Sequence, residues 1–332
     1  MKHANVSVFV PHAGCPHQCS FCDQRAISGA QAAPDGAAVA ALCARAEGGL
    51  AQKGRTAQIA FFGGSFTAVP RAYMIELLEA VRPFLGRGVF TGVRISTRPD
   101  CIDDETLDTL ARYGVTAVEL GAQSMDDTVL SKNGRGHTAA DTNRASALVR
   151  AHGLELGLQM MTGLYGANGA SDLMSARLIA ALMPATVRVY PTLVLEGTRL
   201  AALWRAGLYR PQTHQEAAAL GARLLEFFET RGMRVIRMGL QAQPSLAGHL
   251  LAGPYHPAFR ELCEGALMYE RAERLLSERP PGRYRLHVAP KSVSKLCGHG
   301  THPAQRLRAE GYDIKIRPNA DVRGLDVKVE DV

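Results

Sequence analysis

The feature that most limits how this chain can fold is an alternation, over residues 1–240, of short apolar strand-like runs with amphipathic helical stretches. The runs Asn5–Val10, Gln58–Phe62, Val89–Ile95, Ala117–Leu120, Leu154–Met160, Thr186–Tyr190 and Arg234–Ile236 read as strands. Between them, Ala37–Gln52, Arg71–Phe84, Asp103–Tyr113, Thr138–His152, Ser171–Leu182 and His214–Thr230 read as helices. Glycine and proline mark the junctions, at Gly63-Gly64, Pro99, Gly114, Gly153, Gly163, Pro184 and Gly232. Regular βα alternation predicts an α/β fold, with a parallel sheet and helices outside it. Six or so such units predict a partial (β/α)6-type TIM barrel rather than a flat doubly wound sheet. In parallel barrels, chemistry concentrates at the C-terminal ends of the strands.

Cys15, Cys19 and Cys22 follow the first strand in the spacing C-x3-C-x2-C, within His-Ala-Gly-Cys-Pro-His-Gln-Cys-Ser-Phe-Cys-Asp. One short loop thus offers three thiolates, one too few to close a tetrahedral zinc site. The set suits a 4Fe–4S cluster with one iron left open to a small-molecule ligand. Zinc, with His12 or His17 as fourth ligand, and a redox pair are the alternatives that spacing alone leaves open. Cys43, Cys101, Cys263 and Cys297 are scattered and form no disulfide framework, which fits a reducing compartment. Cys101, beside Asp100, reads as a buried inert thiol rather than a radical relay. No apolar run is long enough to span a bilayer, and no charged-then-apolar leader precedes the first strand. A cytoplasmic location is therefore expected.

The cysteine loop resembles that of the radical S-adenosylmethionine superfamily, in which Phe21 occupies a commonly aromatic position. The resemblance implies that an open iron chelates S-adenosylmethionine through its amino and carboxylate groups. Reductive cleavage would then yield a 5′-deoxyadenosyl radical. Further motifs stand at successive strand ends. Phe62-Gly63-Gly64-Ser65 follows the second strand, where paired glycines let a ligand approach exposed backbone. The resemblance assigns Gly63, Gly64 and Ser65 to the methionine moiety of the cofactor, with Ser96 and Arg98 of Arg94-Ile95-Ser96-Thr97-Arg98-Pro99-Asp100 nearby. A plainer role for Arg98 is a pair with Asp100. Glu119, Gln123 and Gln159, on the fourth and fifth units, are expected to contact cofactor or substrate. Met160 and Met161 read as packing residues.

Several pieces taken together resemble the radical half of the Elongator catalytic subunit, which acts in wobble-uridine modification of tRNA. They are Ile95–Asp100, Glu119–Ser124, Arg135-Gly136-His137-Thr138, and Tyr190–Val194 with Gly197-Thr198 and Leu203-Trp204, in the same order over roughly residues 5–240. This chain departs from that family in two ways. The gap between its first two cluster cysteines is much shorter, and nothing in its last 90 or so residues corresponds to an acetyltransferase domain. Acetyl-CoA use is therefore not carried over. The resemblance implies a tRNA base as substrate and an electron donor such as flavodoxin or ferredoxin. A small-molecule or peptide substrate is one alternative reading; a non-catalytic RNA-binding protein with a structural metal is another.

The net charge of +7 is unevenly placed. Between Arg279 and Arg317 nine basic residues stand against only Glu310 and Asp313, so this stretch alone matches the excess of the whole chain. Clustering of that kind favours a polyanionic partner such as RNA, or marks a solvated face without one. Residues 1–240 are expected to form the barrel and 241–282 a connecting helical segment. Within the latter, Gln241–Tyr255 reads as a loop and Tyr255–Leu276 as a helix. Residues 283–332 are expected to form a small basic α/β module with strands Tyr284–Val288, Ile314–Arg317 and Leu325–Val329. Two helical stretches flank Gly298-His299-Gly300. That helix–loop–helix resembles the core of KH domains, although its glycines are spaced G-x-G rather than G-x-x-G. His249, His256, His299 and His302 show no metal-ligand spacing, and a Cys297–His299 metal site is less expected than a surface loop.

Overall fold

The computed structural model describes residues 5–10, 15, 17–29, 32–298 and 303–332. Among these the strands are β1 (Asn5–Val10), β2 (Ala57–Gly63), β3 (Phe90–Thr97), β4 (Val115–Gln123), β5 (Glu155–Thr162), β6 (Thr186–Pro191), β7 (Val194–Leu195), β8 (Arg234–Met238), β9 (Leu250–Ala252), β10 (Arg283–Val288), β11 (Asp313–Pro318) and β12 (Val327–Asp331). The seven strands expected from the sequence form one sheet in the order β1-β2-β3-β4-β5-β6-β8, and every neighbouring pair is parallel. Each new strand joins the same growing edge. Right-handed crossovers then place the helices that connect its strands on one side, and the twisted sheet curls into a half-barrel.

Side-chain alternation fixes which face is which. Val8, Val10, Ile59, Phe61, Val93, Ile95, Val118, Leu120, Leu156, Leu158, Val187 and Val189 belong to the main apolar core. Their alternates, such as Asn5, Ser7, Arg94, Ser96, Glu119, Gln159 and Arg188, must point to the concave side. The sheet therefore has an oily convex face under its helices and a polar concave face. The helices start where short polar side chains satisfy the first free N–H groups. Capping boxes are formed by Thr138 with Asp141, Asn168 with Ser171, and Thr213 with Glu216. Asp103 accepts from the Thr106 N–H at the start of the helix Asp104–Arg112.

The segment 241–255 differs from the expected loop. It holds a helix, Pro244–His249, and strand β9, which pairs antiparallel with β7. Proline at the first helical turn starts the helix, and Leu246 anchors it in a small apolar cluster with Leu193 and Leu195. Six residues are too few to show a helical period. The following helix runs over Phe259–Ser277 and joins two cores. Phe259, Leu262, Cys263 and Leu267 pack in the barrel core, whereas Met268, Tyr269, Ala272 and Leu276 pack under a second, three-stranded sheet.

That sheet has the order β11-β10-β12, with β10 parallel to β11 and antiparallel to β12. The two expected helical stretches are Val293–Cys297 and Pro303–Ala309. His299, Gly300 and His302, like His12, lie outside the described residues. Among the described residues no helix is long and apolar enough to cross a membrane.

Candidate active site

A cavity of about 420 Å³ opens at the C-terminal ends of the strands and runs down the concave face as far as Asn5. Its size suits a small-molecule or cofactor site. All eleven residues singled out from the sequence line it: Cys15, Cys19, Cys22, Gly63, Gly64, Ser65, Ser96, Arg98, Glu119, Gln123 and Gln159. Cys101, Met160 and Cys297 are not among its lining residues.

The cysteine loop is held from behind. The Ser20 N–H donates to the Asn133 carbonyl at 3.0 Å, and the Ser20 hydroxyl donates to Asn133 Oδ1 at 2.7 Å. Asn133, fully buried, also donates to the carbonyls of Val129 and Tyr165. The Leu200 N–H donates to the Ser20 carbonyl at 2.7 Å. Leu200 begins a helix, Arg199–Arg205, that Thr198 caps. Cys19 and Phe21 pack with Leu200, Ala201 and Tyr209. The Gly197-Thr198 and Leu203-Trp204 motifs thus buttress this loop rather than face a ligand.

Arg135 reaches the loop from the chain after β4. It donates to Cys19 Sγ at 3.2 Å and to the Gly121 carbonyl at 2.7 Å, and its Nε is buried without a partner among the described residues. Burial, and then the neighbouring Cys19, push the Cys15 and Cys22 thiols up, Cys22 to about 12. Three thiolates crowded here need a strongly cationic centre to stay ionised. Among the described residues no three His, Cys, Asp or Glu side chains converge on a single ion. A cluster, which takes each thiolate on a different iron, makes no such demand. The zinc reading thus finds no formed site among the described residues. His17 lines the cavity, but its ring lies against Gly136.

Opposite the cysteines, Gly63 has φ of +116°, and a Cβ there would come within 2.6 Å of the Val10 carbonyl oxygen. Only glycine permits that approach. The Ser65 hydroxyl is buried without a settled hydrogen-bond partner among the described residues, yet it lies near enough to Cys15 to favour its thiolate. Bare backbone and a buried hydroxyl facing three thiols fit a ligand that carries its own polar groups. Cys15, Cys19 and Cys22 would hold the cluster, and Gly63, Gly64 and Ser65 would border S-adenosylmethionine.

The remaining candidates are more constrained. Arg98 grips Asp100 with two bonds of 2.9 and 2.8 Å and also donates to the Arg135 carbonyl. It keeps its place in the cavity lining while making these bonds. Glu119 is bound by Arg94 at 3.2 Å and by Arg188 at 2.6 and 3.0 Å. Gly157 leaves room for that carboxylate, since a Cβ there would come within 2.8 Å of Glu119 Cγ. Gln123 sits in the left-handed region at φ 63°, where β4 and β5 slip register, and accepts from Gln159 at 3.4 Å. Such strain costs on the order of 1–3 kcal/mol and clusters at functional sites. Burial, then Arg135, push the His137 imidazole down to about 4. It stays neutral at physiological pH, its Nε2 facing the Ala122 carbonyl at 3.2 Å.

Sequence reasoning assigned no role to Arg94, Asn133, Arg188 or Arg237. Each arginine interrupts an apolar strand, as in Val93-Arg94-Ile95 and Val187-Arg188-Val189. That interruption is the signal of an inward-facing charge. Arg237, on β8, lines the cavity wall with Gln241 and Gln243.

Two predictions arise from this geometry. Gly136 has φ of +70°, and a Cβ would strike the His17 ring at 2.3 Å. Gly136→Ala should therefore displace His17 and lower the iron bound per chain after reconstitution, as iron and sulfide analysis would show. Asp172, buried in the first turn of the helix Gly169–Ala181, accepts from the Gly163 N–H at 2.9 Å. The helix terminus favours a carboxylate there, but desolvation outweighs it and pushes the acid up to about 7. The folded state then holds a proton that the unfolded chain has lost. Stability from this group is complete below pH ~4 and falls as pH rises towards 7, by up to about 4 kcal/mol. Asp172→Asn keeps the acceptor, so it should raise the urea midpoint at pH 8 and leave it nearly unchanged at pH 4.

A cysteine-lined mouth on a parallel half-barrel defines a class, and comparison with known proteins agrees. The chain belongs to the radical SAM superfamily: that family's model matches residues 9–178, and the model of the Radical_SAM C-terminal domain matches residues 184–269. It is accordingly a radical SAM enzyme, of a family whose cofactors are a 4Fe–4S cluster and S-adenosylmethionine. It is 35% identical over 126 residues to the tRNA uridine(34) acetyltransferase of Methanocaldococcus infernus, covering 37% of this chain and 24% of that protein. It is 30% identical over 199 residues to Elongator complex protein 3 of Mus musculus, covering 53% of this chain and 36% of that protein. The match therefore spans only about a quarter to a third of these relatives. Archaeal Elp3 of Methanocaldococcus infernus, solved with an N-terminal deletion, shares the fold with a TM-score of 0.60 at 21% identity, over 84% of this chain and 64% of that one.

Proposed function

We propose that this protein cleaves S-adenosylmethionine reductively at a cluster held by Cys15, Cys19 and Cys22, and uses the resulting radical to modify a tRNA base. One observation carries the reading: three cysteine thiols, a bare glycine turn and a buried serine hydroxyl with no hydrogen-bond partner among the described residues share one cavity at the strand ends of a parallel half-barrel. When bound, the cluster and S-adenosylmethionine supply one-electron cleavage of a sulfonium and a carbon radical able to take hydrogen from an unactivated C–H.

The chain's own residues do the positioning. Asn133 and Leu200 hold the backbone of the cysteine loop, and Arg135 holds Cys19 by its sulfur. Gly63 and Gly64 present bare backbone to the cavity, and at Gly63 a Cβ would strike the Val10 backbone. The Ser65 hydroxyl can donate to a carboxylate or accept from an ammonium. Gln123 and Gln159 present amide groups beside the cofactor site, and Arg188, Tyr190 and Arg237 line the opposite wall, where a substrate would enter. The interior ion pairs keep that wall rigid. A tRNA substrate is supported by the relatives named for tRNA uridine modification. The acetyl-transfer step of those relatives is not proposed for this chain.

The test is anaerobic reconstitution with iron and sulfide, followed by dithionite and S-adenosylmethionine, with 5′-deoxyadenosine measured with and without bulk tRNA. Release stimulated by tRNA is the expected result. Release indifferent to tRNA would keep the chemistry but move the substrate to a small molecule or peptide. No release, with zinc bound in place of iron, would overturn the catalytic reading in favour of a binding module.

A further inference from the structure

The three-stranded sheet carries a surface that the barrel chemistry does not use. Tyr284, Leu286, Val288, Ile314 and Val327 face inward to a core shared with the helix Phe259–Ser277. Their alternates face outward. The register sets those alternates in rows across the strands. Arg317 lies beside His287, and His287 beside Lys328; in the next row Lys315 lies beside Arg285, and Arg285 beside Glu330. Lys315, Arg317 and Lys328 are exposed.

Charge on this face is poorly compensated. Arg285 at 3.2 Å and His287 at 2.6 Å share the single carboxylate of Glu330. Lys315, Arg317 and Lys328 have no ion-pair partner among the described residues, whereas Arg279 and Arg283 are paired with Asp331 and Asp313. The helices Phe259–Ser277, Val293–Cys297 and Pro303–Ala309 all supply the inner core. The two rows include no apolar or aromatic side chain, so the face offers nothing to insert into a membrane or to stack on bases. What it offers is cations on a rigid grid.

We infer that the outer face of this sheet is a docking surface for the phosphate backbone of RNA, with Lys315, Arg317 and Lys328 as its principal contacts. This rests on the reading of tRNA as the substrate and adds to it where the RNA is held. The contacts position the RNA without reading its sequence.

The test uses the full chain, with tRNA binding followed across a salt series. The triple variant Lys315→Gln, Arg317→Gln, Lys328→Gln should bind roughly 10- to 100-fold more weakly near 0.1 M salt. Its salt slope should fall by about 2–3, with each single variant contributing about 1. Cleavage of S-adenosylmethionine without RNA should be unchanged in all of them, because none touches the cavity. Wild-type tRNA binding that the variants share, slope included, would overturn this surface while leaving the tRNA reading intact. A wild-type protein that shows no salt-sensitive tRNA binding would overturn both. Charge-dependent binding to phosphatidylserine vesicles in place of tRNA would assign the face to a membrane and overturn the inference.

Discussion

Cys19→Ala should abolish release of 5′-deoxyadenosine under strong reduction, with no measurable activity remaining. The effect is total because three protein thiolates are the minimum that leaves one iron open, and the loop has no spare. Cys19 also anchors the site electrostatically, since Arg135 donates to its sulfur at 3.2 Å. Arg135→Gln is the graded counterpart. It keeps all three thiols and removes a partner of one, so iron retention or turnover should fall about 10- to 100-fold rather than vanish. The two variants separate loss of a ligand from loss of its support. If the alanine variant cleaved S-adenosylmethionine at the parent rate, the cluster assignment would be wrong.

Glu119→Gln should give the largest loss of stability of any single polar change in the barrel. Arg94 is wholly inaccessible to solvent, and the Glu119 side chain is 3% exposed. Glu119 answers Arg94 through Oε1 and Arg188 through both oxygens. Removing its charge leaves Arg188, itself 12% exposed, facing an amide. Breaking a buried pair from one side costs about 3–5 kcal/mol, because the remaining charge stays desolvated. Arg94 keeps Glu155 at 2.5 Å and Gln58 at 2.9 Å, so the loss falls chiefly on Arg188. A drop in the urea midpoint of that size, with the iron content of the reconstituted protein largely kept, would mark Glu119 as a structural member of the cavity wall. A stable variant with weakened cofactor binding would mark it as a ligand instead. Gly157→Ala should reproduce part of the loss, since its Cβ would push on the same carboxylate.

Much of this was legible in the chain itself. The seven barrel strands could be found because a parallel strand covered by helices needs an apolar run of a few residues, which is a local property. The cysteine loop, the glycine turn and the polar residues at the strand ends were readable for a related reason. Each is a short motif whose position in the βα alternation says where in a barrel it must stand. The short helix Pro244–His249 and the two-residue strand β7 were not readable, because neither is long enough to show a period.

What the tertiary structure alone decided is who meets whom. Arg98 lines the cavity, and the fold also pairs it with Asp100 and the Arg135 carbonyl. Glu119 could have been a free acid, but two arginines from β3 and β6 claim it. Arg135 is 116 residues from Cys19 along the chain and 3.2 Å from its sulfur in space. Nine basic residues between Arg279 and Arg317 carry one sum in the sequence, yet pairing across strands neutralises some, and the register sets Lys315 and Arg317 on one face with Lys328 from a later strand. Backbone periodicity and turn chemistry act over a few residues and so are written locally. Electrostatic pairing and desolvation depend on distance in three dimensions, and only the closed sheet sets those distances.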